Sequence, residues 1–522
     1  MFDIIMIYII KVCLFMAKEK VSKNQKSMEE TLWESANKLR GSVESSEYKH
    51  IVLGLIFLKF VSDTFEERRE KLLTEGKEAF IDMVEFYTME NVFYLPTESR
   101  WSYIKQNAKQ DDIALKIDTA LATIEKNNPS LKGALPDNYF SRLGLDVSKL
   151  SSLIDTINNI NTIEDKGHDV VGRVYEYFLG EFALAEGKLG GQFYTPKSIV
   201  NLLANMIEPY KGKIYDPACG SGGMFIQSLK FIEAHKGNKK DISIYGQEFT
   251  ATTYKLAKMN LAIRGISANL GAVPADTFFK DQHPDLKADY IMANPPFNQK
   301  EWRGVNELLD DPRWAGYDVP STSNANYAWI LHMLSKLSEN GIAGFVLAKG
   351  SLTSNSSNEG EIRKQLIENN LVDCIVNLPA KLFFNTQIPA CLWFIKKNRA
   401  RNDILFIDAR NLGHLINRRN KDFSPEDIEK VASTYHNWKV KENYEDIKGF
   451  CKSASLEEVR ELNYVLTPGR YVGLEDSEDE FDFKERFESL QNELINQMKE
   501  EQSLNDRILA NLAKVNLVAV DE

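Results

Sequence analysis

The run Asp289-Tyr290-Ile291-Met292-Ala293-Asn294-Pro295-Pro296-Phe297 decides how this chain folds. Its first half is apolar and rich in strand formers; its second half is a carboxamide, two prolines and an aromatic ring. Proline has no N–H for a sheet ladder, so the strand must stop at Asn294. The amide then stands at the carboxyl edge of a sheet, where open α/β sheets bind their ligands. The set suits a flat heterocycle that carries an exocyclic amino group. The amide oxygen of Asn294 and the carbonyl of Pro295 can accept two amino hydrogens, and Phe297, held by Pro296, can stack on the ring for ~1–3 kcal/mol per base. Asn-Pro-Pro alone is also ordinary turn chemistry, so the reading depends on the flanking chain.

Outward from this run, short apolar segments alternate with amphipathic helices from Lys213 onward. Strand candidates are KIYD, ISIYGQE, ANLGAV, ADYIMAN, GIAGFVLA, LVDCIVNL and PACLWFIKK, with ILFIDA extending the sheet. Helices such as TYKLAKMNLAIR, YAWILHMLSKL and EGEIRKQLIEN lie between them. The alternation predicts an α/β fold, a doubly wound Rossmann-like domain with a parallel sheet over residues 187–410. Between Phe297 and Asn324 no period is visible, and structureless loops of that length are functional or mobile.

The first strand runs into Asp216-Pro217-Ala218-Cys219-Gly220-Ser221-Gly222-Gly223 and then a helix. The glycines permit a tight turn and close approach to a ligand. A phosphate site is the rival reading. The loop lacks the Lys-Ser/Thr of a P-loop, however, and Asp216 would repel a pyrophosphate. The second strand ends at Glu248, placed to accept from ribose hydroxyls. Asp276 follows the third strand and can accept from an adenine amino group. A nucleoside site without a strong polyphosphate results, and S-adenosyl-L-methionine fits it. Upstream, the loop Gln192-Phe193-Tyr194-Thr195-Pro196-Lys197 opens a helix, SIVNLLANMI, with proline in its first turn.

Residues 28–186 read as a mostly α domain. A helix from about Glu47 is apolar nearly all round before the charged FEERREKLL, and IALKIDTALATIEK, VSKLSSLIDTINNI and VVGRVYEYFLGEFALAEG follow. Tyr175, Tyr177, Phe178 and Phe182 form a packing face. The leading MFDIIMIYIIKVCLF is too short for a bilayer and is broken by Lys11. Residues 1–27 are therefore expected to be an unstructured extension, or sequence upstream of a start at Met16. Beyond 410 the chain is polar and helical, through the turn Pro468-Gly469-Arg470-Tyr471. After the acidic EDSEDE comes a helix with an apolar stripe at Phe483, Phe487, Leu490, Leu494, Met498, Leu504, Ile508 and Leu512. The stripe of region 411–522 suits packing on the parent chain and docking on another subunit equally.

Over 522 residues, 43% hydrophobic and 27% charged content is that of a soluble globular protein of two or three domains. Five scattered cysteines argue against a zinc site or disulfide framework, so no metal and a reducing cytoplasm are expected. A net charge of −11 argues against an unaided grip on nucleic acid, because phosphate contacts need Lys and Arg.

Taken together, GQFYTP at 192–197, DPACGSGGM at 216–224, QE at 247–248, NPPF at 294–297, SNANYAWILHML and LPAKLFFNTQIPACLWFIKKN resemble one family. It is the modification (methyltransferase) subunit of type I restriction–modification systems, N6-adenine DNA methyltransferases. The resemblance runs from about Met28 to Tyr471. It implies that GQFYTP and the Gly-rich loop cradle S-adenosylmethionine while Asn-Pro-Pro-Phe holds a flipped-out adenine of double-stranded DNA. It further implies a specificity subunit clasped by two copies of this chain, a separate restriction subunit, and no membrane association. Rival readings are a free-standing N6-adenine methyltransferase, a protein-glutamine N5 methyltransferase and a non-catalytic scaffold. The first would need a recognition domain not visible after 410. The second usually ends its Asn-Pro-Pro segment in Tyr. The third would show losses in the cofactor loop.

Overall fold

A computed structural model describes residues 33–34, 37, 45–160, 177–178, 195–383, 389–417, 420–474 and 483–512. The chain divides into two compact units, residues 1–472 and 473–522.

In the first unit, helix α1 (Ser45–Thr74) is buried along Ile51–Leu58, as its all-round apolar sequence requires. Helices α2 (Ile113–Asn127) and α3 (Val147–Asn158) pack with it. The Asp146 side chain caps α3 by accepting from the N–H groups of Ser148 and Lys149. Asp118 is a buried carboxylate with a structural task. It accepts from the backbone N–H groups of Tyr139, Phe140 and Ser141, which start a short helix. Phe178 is buried in this core and meets Trp33 edge-on.

The sheet has nine strands, which we number along the chain: β1 (Gly212–Asp216), β2 (Ile242–Gly246), β3 (Ala268–Asn269), β4 (Ala288–Ala293), β5 (Leu337–Ala348), β6 (Val372–Asn377), β7 (Ala390–Lys396) and β8 (Ile404–Asp408). A two-stranded hairpin, β9 (His414–Leu415) with β10 (Lys421–Asp422), stands apart, and β11 (Cys451–Ala454) completes the large sheet. The order is β11-β8-β6-β7-β5-β4-β1-β2-β3. The doubly wound reading holds, but the sheet is mixed where a parallel one was expected. β7 runs antiparallel to both β5 and β6, and β11 antiparallel to β8. The link from β6 to β7 carries Pro379 and Pro389, which disfavour helix, and its described residues, 378–383 and 389, form no crossover helix, in keeping with the antiparallel return. The stretch beyond 410, which reads as helical, also contributes β11, too short and polar to announce itself.

Helices cover both faces. Helices α4 (Lys197–Ile207), α5 (Gly223–Ala234), α6 (Ala251–Ile263) and α9 (Pro425–Val440) pack on one, and α7 (Asn326–Lys336) and α8 (Glu359–Glu368) on the other. Alternation along β4 sends Met292 to the first face and Ile291 and Ala293 to the second. The outer side of α6 (Leu256, Met259, Ile263) joins the core of the helical region, and Lys255 Nζ donates to the Leu135 carbonyl at 3.0 Å. From β1 the chain moves to β2 and β3, then returns to β4 on β1's other side. That reversal opens a crevice at the carboxyl ends of β1 and β4.

The segment between Phe297 and Asn324 is not structureless. Trp302 and Trp314 are buried, and Arg303 donates to the carbonyls of Pro320, Gly304, Val305 and Glu307. A guanidinium that saturates loop carbonyls replaces the ladder the loop lacks.

The second unit contains α10 (Phe483–Leu512), on which Phe487, Leu490, Leu494, Met498, Leu504 and Ile508 are exposed. Among the described residues no helix is long and apolar enough to cross a membrane.

Candidate active site

A cavity of about 500 Å³ lies at the crevice. Its wall includes Thr195, Lys197, Asp216, Pro217, Gly220, Ser221, Gly223, Glu248, Asp276, Asn294, Pro296 and Phe297. The predicted loops are thus brought to one place. Pro196, Gly222 and Pro295 do not line it; Pro196 caps α4 and Gly222 caps α5 from behind. Gln192, Phe193 and Tyr194 lie outside the described residues.

Backbone bonds splice the ends of β1 and β2 together: Gln247 N–H donates to Asp216 O at 3.0 Å and Cys219 N–H to Gln247 O at 2.9 Å. Gly222 has φ +80°, a conformation L side chains resist, which lets the loop turn directly into α5. Asn260 on α6, buried, steadies the turn by donating from Nδ2 to Ser221 O at 2.7 Å. No spacing in the sequence marks Asn260 for this task.

Two carboxylates are sealed into this wall. Asp216 is 1% exposed, accepts from Ala218 N–H at 3.0 Å, and is pushed up to about 8 by burial, with the Glu248 charge adding. Glu248 accepts from Gly220 N–H at 3.1 Å and Thr250 N–H at 2.8 Å, and burial raises it too. Among the described residues no ion pair reaches either group. A buried carboxyl group whose charged form no cation balances favours a ligand that brings positive charge or donors. Asp276 holds its own turn by accepting from Phe278 N–H at 2.7 Å and faces the cavity. Cys219 is buried and its thiol is pushed well up by burial, so it is held as the thiol.

The opposite wall differs. Asn294 Nδ2 donates to Thr195 Oγ1 at 3.0 Å, while Asn294 Oδ1 is buried with no partner among the described residues. Gln299 Oε1 and the indole Nε1 of Trp329 are likewise buried, unpaired and on the cavity wall. Phe297 meets Phe383 edge-on at 5.8 Å between centroids. Trp329 packs on Phe278, whose carbonyl and that of Thr277 accept from Arg313. Gln299 and Trp329 were not singled out from sequence. The only signal was their place beside Asn-Pro-Pro-Phe and inside SNANYAWILHML.

Behind this wall His332 is fully buried between Tyr215 and Arg313, and burial followed by the Arg313 charge pushes it down to about 3. It is neutral and off the cavity, so it is not an acid or base for the site. Among the described residues no group of three or more His, Cys, Asp or Glu could hold a metal ion.

An open sheet with acids at its first strand ends and an Asn-Pro-Pro-Phe corner beside them defines an amino-group methylase. Over residues 166–480 the chain matches the N-6 DNA methylase family, and it belongs to it, among the methylase subunits of type I restriction enzymes. Residues 28–157 match the HsdM N-terminal domain. The type I restriction enzyme HindI methylase subunit of Haemophilus influenzae is 46% identical, over 80% of this chain and 99% of that protein. The MjaIX methylase subunit of Methanocaldococcus jannaschii is 40% identical, over 92% of this chain and 90% of its own. The crystal structure of a type I restriction-modification methyltransferase subunit from Streptococcus thermophilus superposes with a TM-score of 0.71 at 25% identity, covering 85% of this chain and 99% of that one. The chain is accordingly an adenine-specific DNA methyltransferase of the modification-subunit kind.

Proposed function

We propose that the cavity takes S-adenosylmethionine against its acidic wall and an everted adenine against Asn294-Pro295-Pro296-Phe297, and that the adenine N6 is methylated there. One observation carries the reading: Asn294 Oδ1, a buried acceptor with no partner among the described residues, lines the same cavity as two buried carboxyl groups that no cation among those residues reaches. The cofactor fits this donor set, since its cationic and hydroxyl groups answer Asp216 and Glu248, and its adenine amine answers Asp276. Residues 192–197 and 220–223 complete the cradle in the family resemblance. When bound, S-adenosylmethionine supplies an electrophilic methyl group.

The chain's own contribution is placement and polarisation. The adenine amine is a poor nucleophile because its lone pair is delocalised into the ring. Acceptance of an amine hydrogen by Asn294 Oδ1, the acceptor that lines the cavity, draws it from the ring plane and localises the pair on N6. Phe297 holds the ring by stacking. These effects are electrostatic and positional, with no covalent intermediate. A base inside a duplex cannot reach the cavity, so it must be flipped out at a cost of a few kcal/mol.

The same reading extends to partners. The relatives' names place those proteins as subunits of type I restriction enzymes, and a net charge of −11 leaves much of the DNA grip to others. A specificity subunit held between two copies of this chain would choose the double-stranded site, and a restriction subunit would cut, all in the cytoplasm. Residues 28–186 serve as the helical region that closes on DNA, 187–410 as the methyltransferase, and 411–522, with the apolar stripe of α10, as the grip on the specificity subunit. Residues 1–27 have no part in the chemistry. The test is methyl transfer from labelled S-adenosylmethionine to site-bearing DNA by the chain together with its specificity subunit. Asn294→Ala is expected to lower the single-turnover rate roughly 100- to 1,000-fold with cofactor affinity retained. Full activity in that variant would sink the assignment.

A further inference from the structure

A carboxamide offers two atoms of nearly equal size, and only the oxygen can receive an amine hydrogen. If the Asn294 amide were turned over, its Nδ2 would direct N–H at N–H, and polarisation of the amine would be lost. Something must therefore decide which atom faces the cavity.

An amine in the cavity can only be met by Oδ1, and the Nδ2 end is then taken up by a residue distant in sequence. Asn294 Nδ2 donates to Thr195 Oγ1 at 3.0 Å, across 99 positions of chain, and Oδ1 is left buried and unpaired. Thr195 is well placed to be a fixed reference. It precedes Pro196, which confines its backbone to extended conformations. Its β-branched side chain is stiff about χ1. Pro196 caps α4 with φ −53° and ψ 136°, and α4 is anchored through the buried Ile199, Val200, Leu202 and Leu203. The hydroxyl is thus carried by a helix locked into the core.

We infer that Thr195 is a positioning residue: its hydroxyl oxygen accepts from Asn294 Nδ2 and so holds the amide in place while Oδ1 meets the exocyclic amine of the target base. The inference rests on the role given to Asn294 above. It also gives the 192–197 segment a second duty. The stretch that cradles the cofactor in the family resemblance also orients the acceptor for the other substrate, so Thr195 links the two halves of the cavity.

The test uses the chain with its specificity subunit. Thr195→Val keeps the shape and removes the acceptor. At saturating DNA and S-adenosylmethionine, its single-turnover rate should fall roughly tenfold, about one hydrogen bond's worth. Because the rate is read at saturating cofactor, any change in the calorimetric Kd for S-adenosylmethionine is separated from it, and Thr195→Ser should restore most of the rate. Wild-type rates in Thr195→Val, or a loss explained wholly by weaker cofactor binding, would overturn the inference. So would failure of the serine to rescue. An active Asn294→Ala would bring down the parent reading; an inactive Asn294→Ala beside an unimpaired Thr195→Val would bring down this inference alone.

Discussion

The two walls of the cavity are wired differently. On the wall built from β1, β2 and the loop after β3, polar side chains are tied to backbone N–H groups before any ligand arrives. Glu248 accepts from Gly220 and Thr250, Asp276 from Phe278 and Phe279, and Asp216 from Ala218. On the wall that follows β4, three buried polar atoms, Asn294 Oδ1, Gln299 Oε1 and Trp329 Nε1, have no partner. An unpaired buried polar group costs ~1–3 kcal/mol. Among the described residues that cost falls on one wall of the cavity. A preorganised wall suits a diffusible cofactor that must always be held in one pose. An unsatisfied wall suits a base that arrives at its own energetic expense and is rewarded only if it brings the right hydrogens.

The contrast can be broken by experiment. After loss of Asn294, the largest effect should come from Phe297→Ala. Removing a stacking face of ~1–3 kcal/mol should weaken productive DNA engagement by about 5- to 150-fold, read as kcat/KM for DNA, with the cofactor Kd unchanged. An equal effect on cofactor binding would erase the division into two walls.

The acidic wall should answer to pH. Asp216 has a folded-state value of about 8 against an ordinary 3.8. Stability from this group in the unliganded chain is present in full below the ordinary value and is lost as pH rises through about 8, because the buried carboxyl must then charge. A ligand that favours the carboxylate shows the opposite slope. Affinity for S-adenosylmethionine should rise up to about tenfold per pH unit below that value and level off above it. Calorimetric titrations across the range, with melting curves of the unliganded protein, check both signs. Asp216→Asn should flatten the two profiles together; a profile unchanged by the substitution would remove Asp216 from the linkage.

The smallest effect belongs to the turn. Asn260→Ala deletes one buried bond to the Gly-rich loop, worth ~1 kcal/mol net, and should weaken cofactor binding by about fivefold while the Thr195–Asn294 side is unaffected. A fall in single-turnover rate at saturating cofactor would show that the walls are coupled through the loop.

Much of this site was legible in the residues alone, because its parts are local chemistry. Prolines end β4 at Asn294, glycines permit the turn at 220–223, and acids stand where apolar runs stop, whatever the rest of the chain does. The strands from KIYD to ILFIDA were legible for the same reason. Tertiary structure alone decided the reversal of β7, the entry of β11 into the sheet and the ordering of residues 298–324 by Arg303 and Arg313. It also decided which hydroxyl the Asn294 amide meets. Backbone preference acts over a few residues, whereas strand direction, loop closure and the pairing of side chains 99 positions apart follow from the burial of a whole core and the satisfaction of its polar groups.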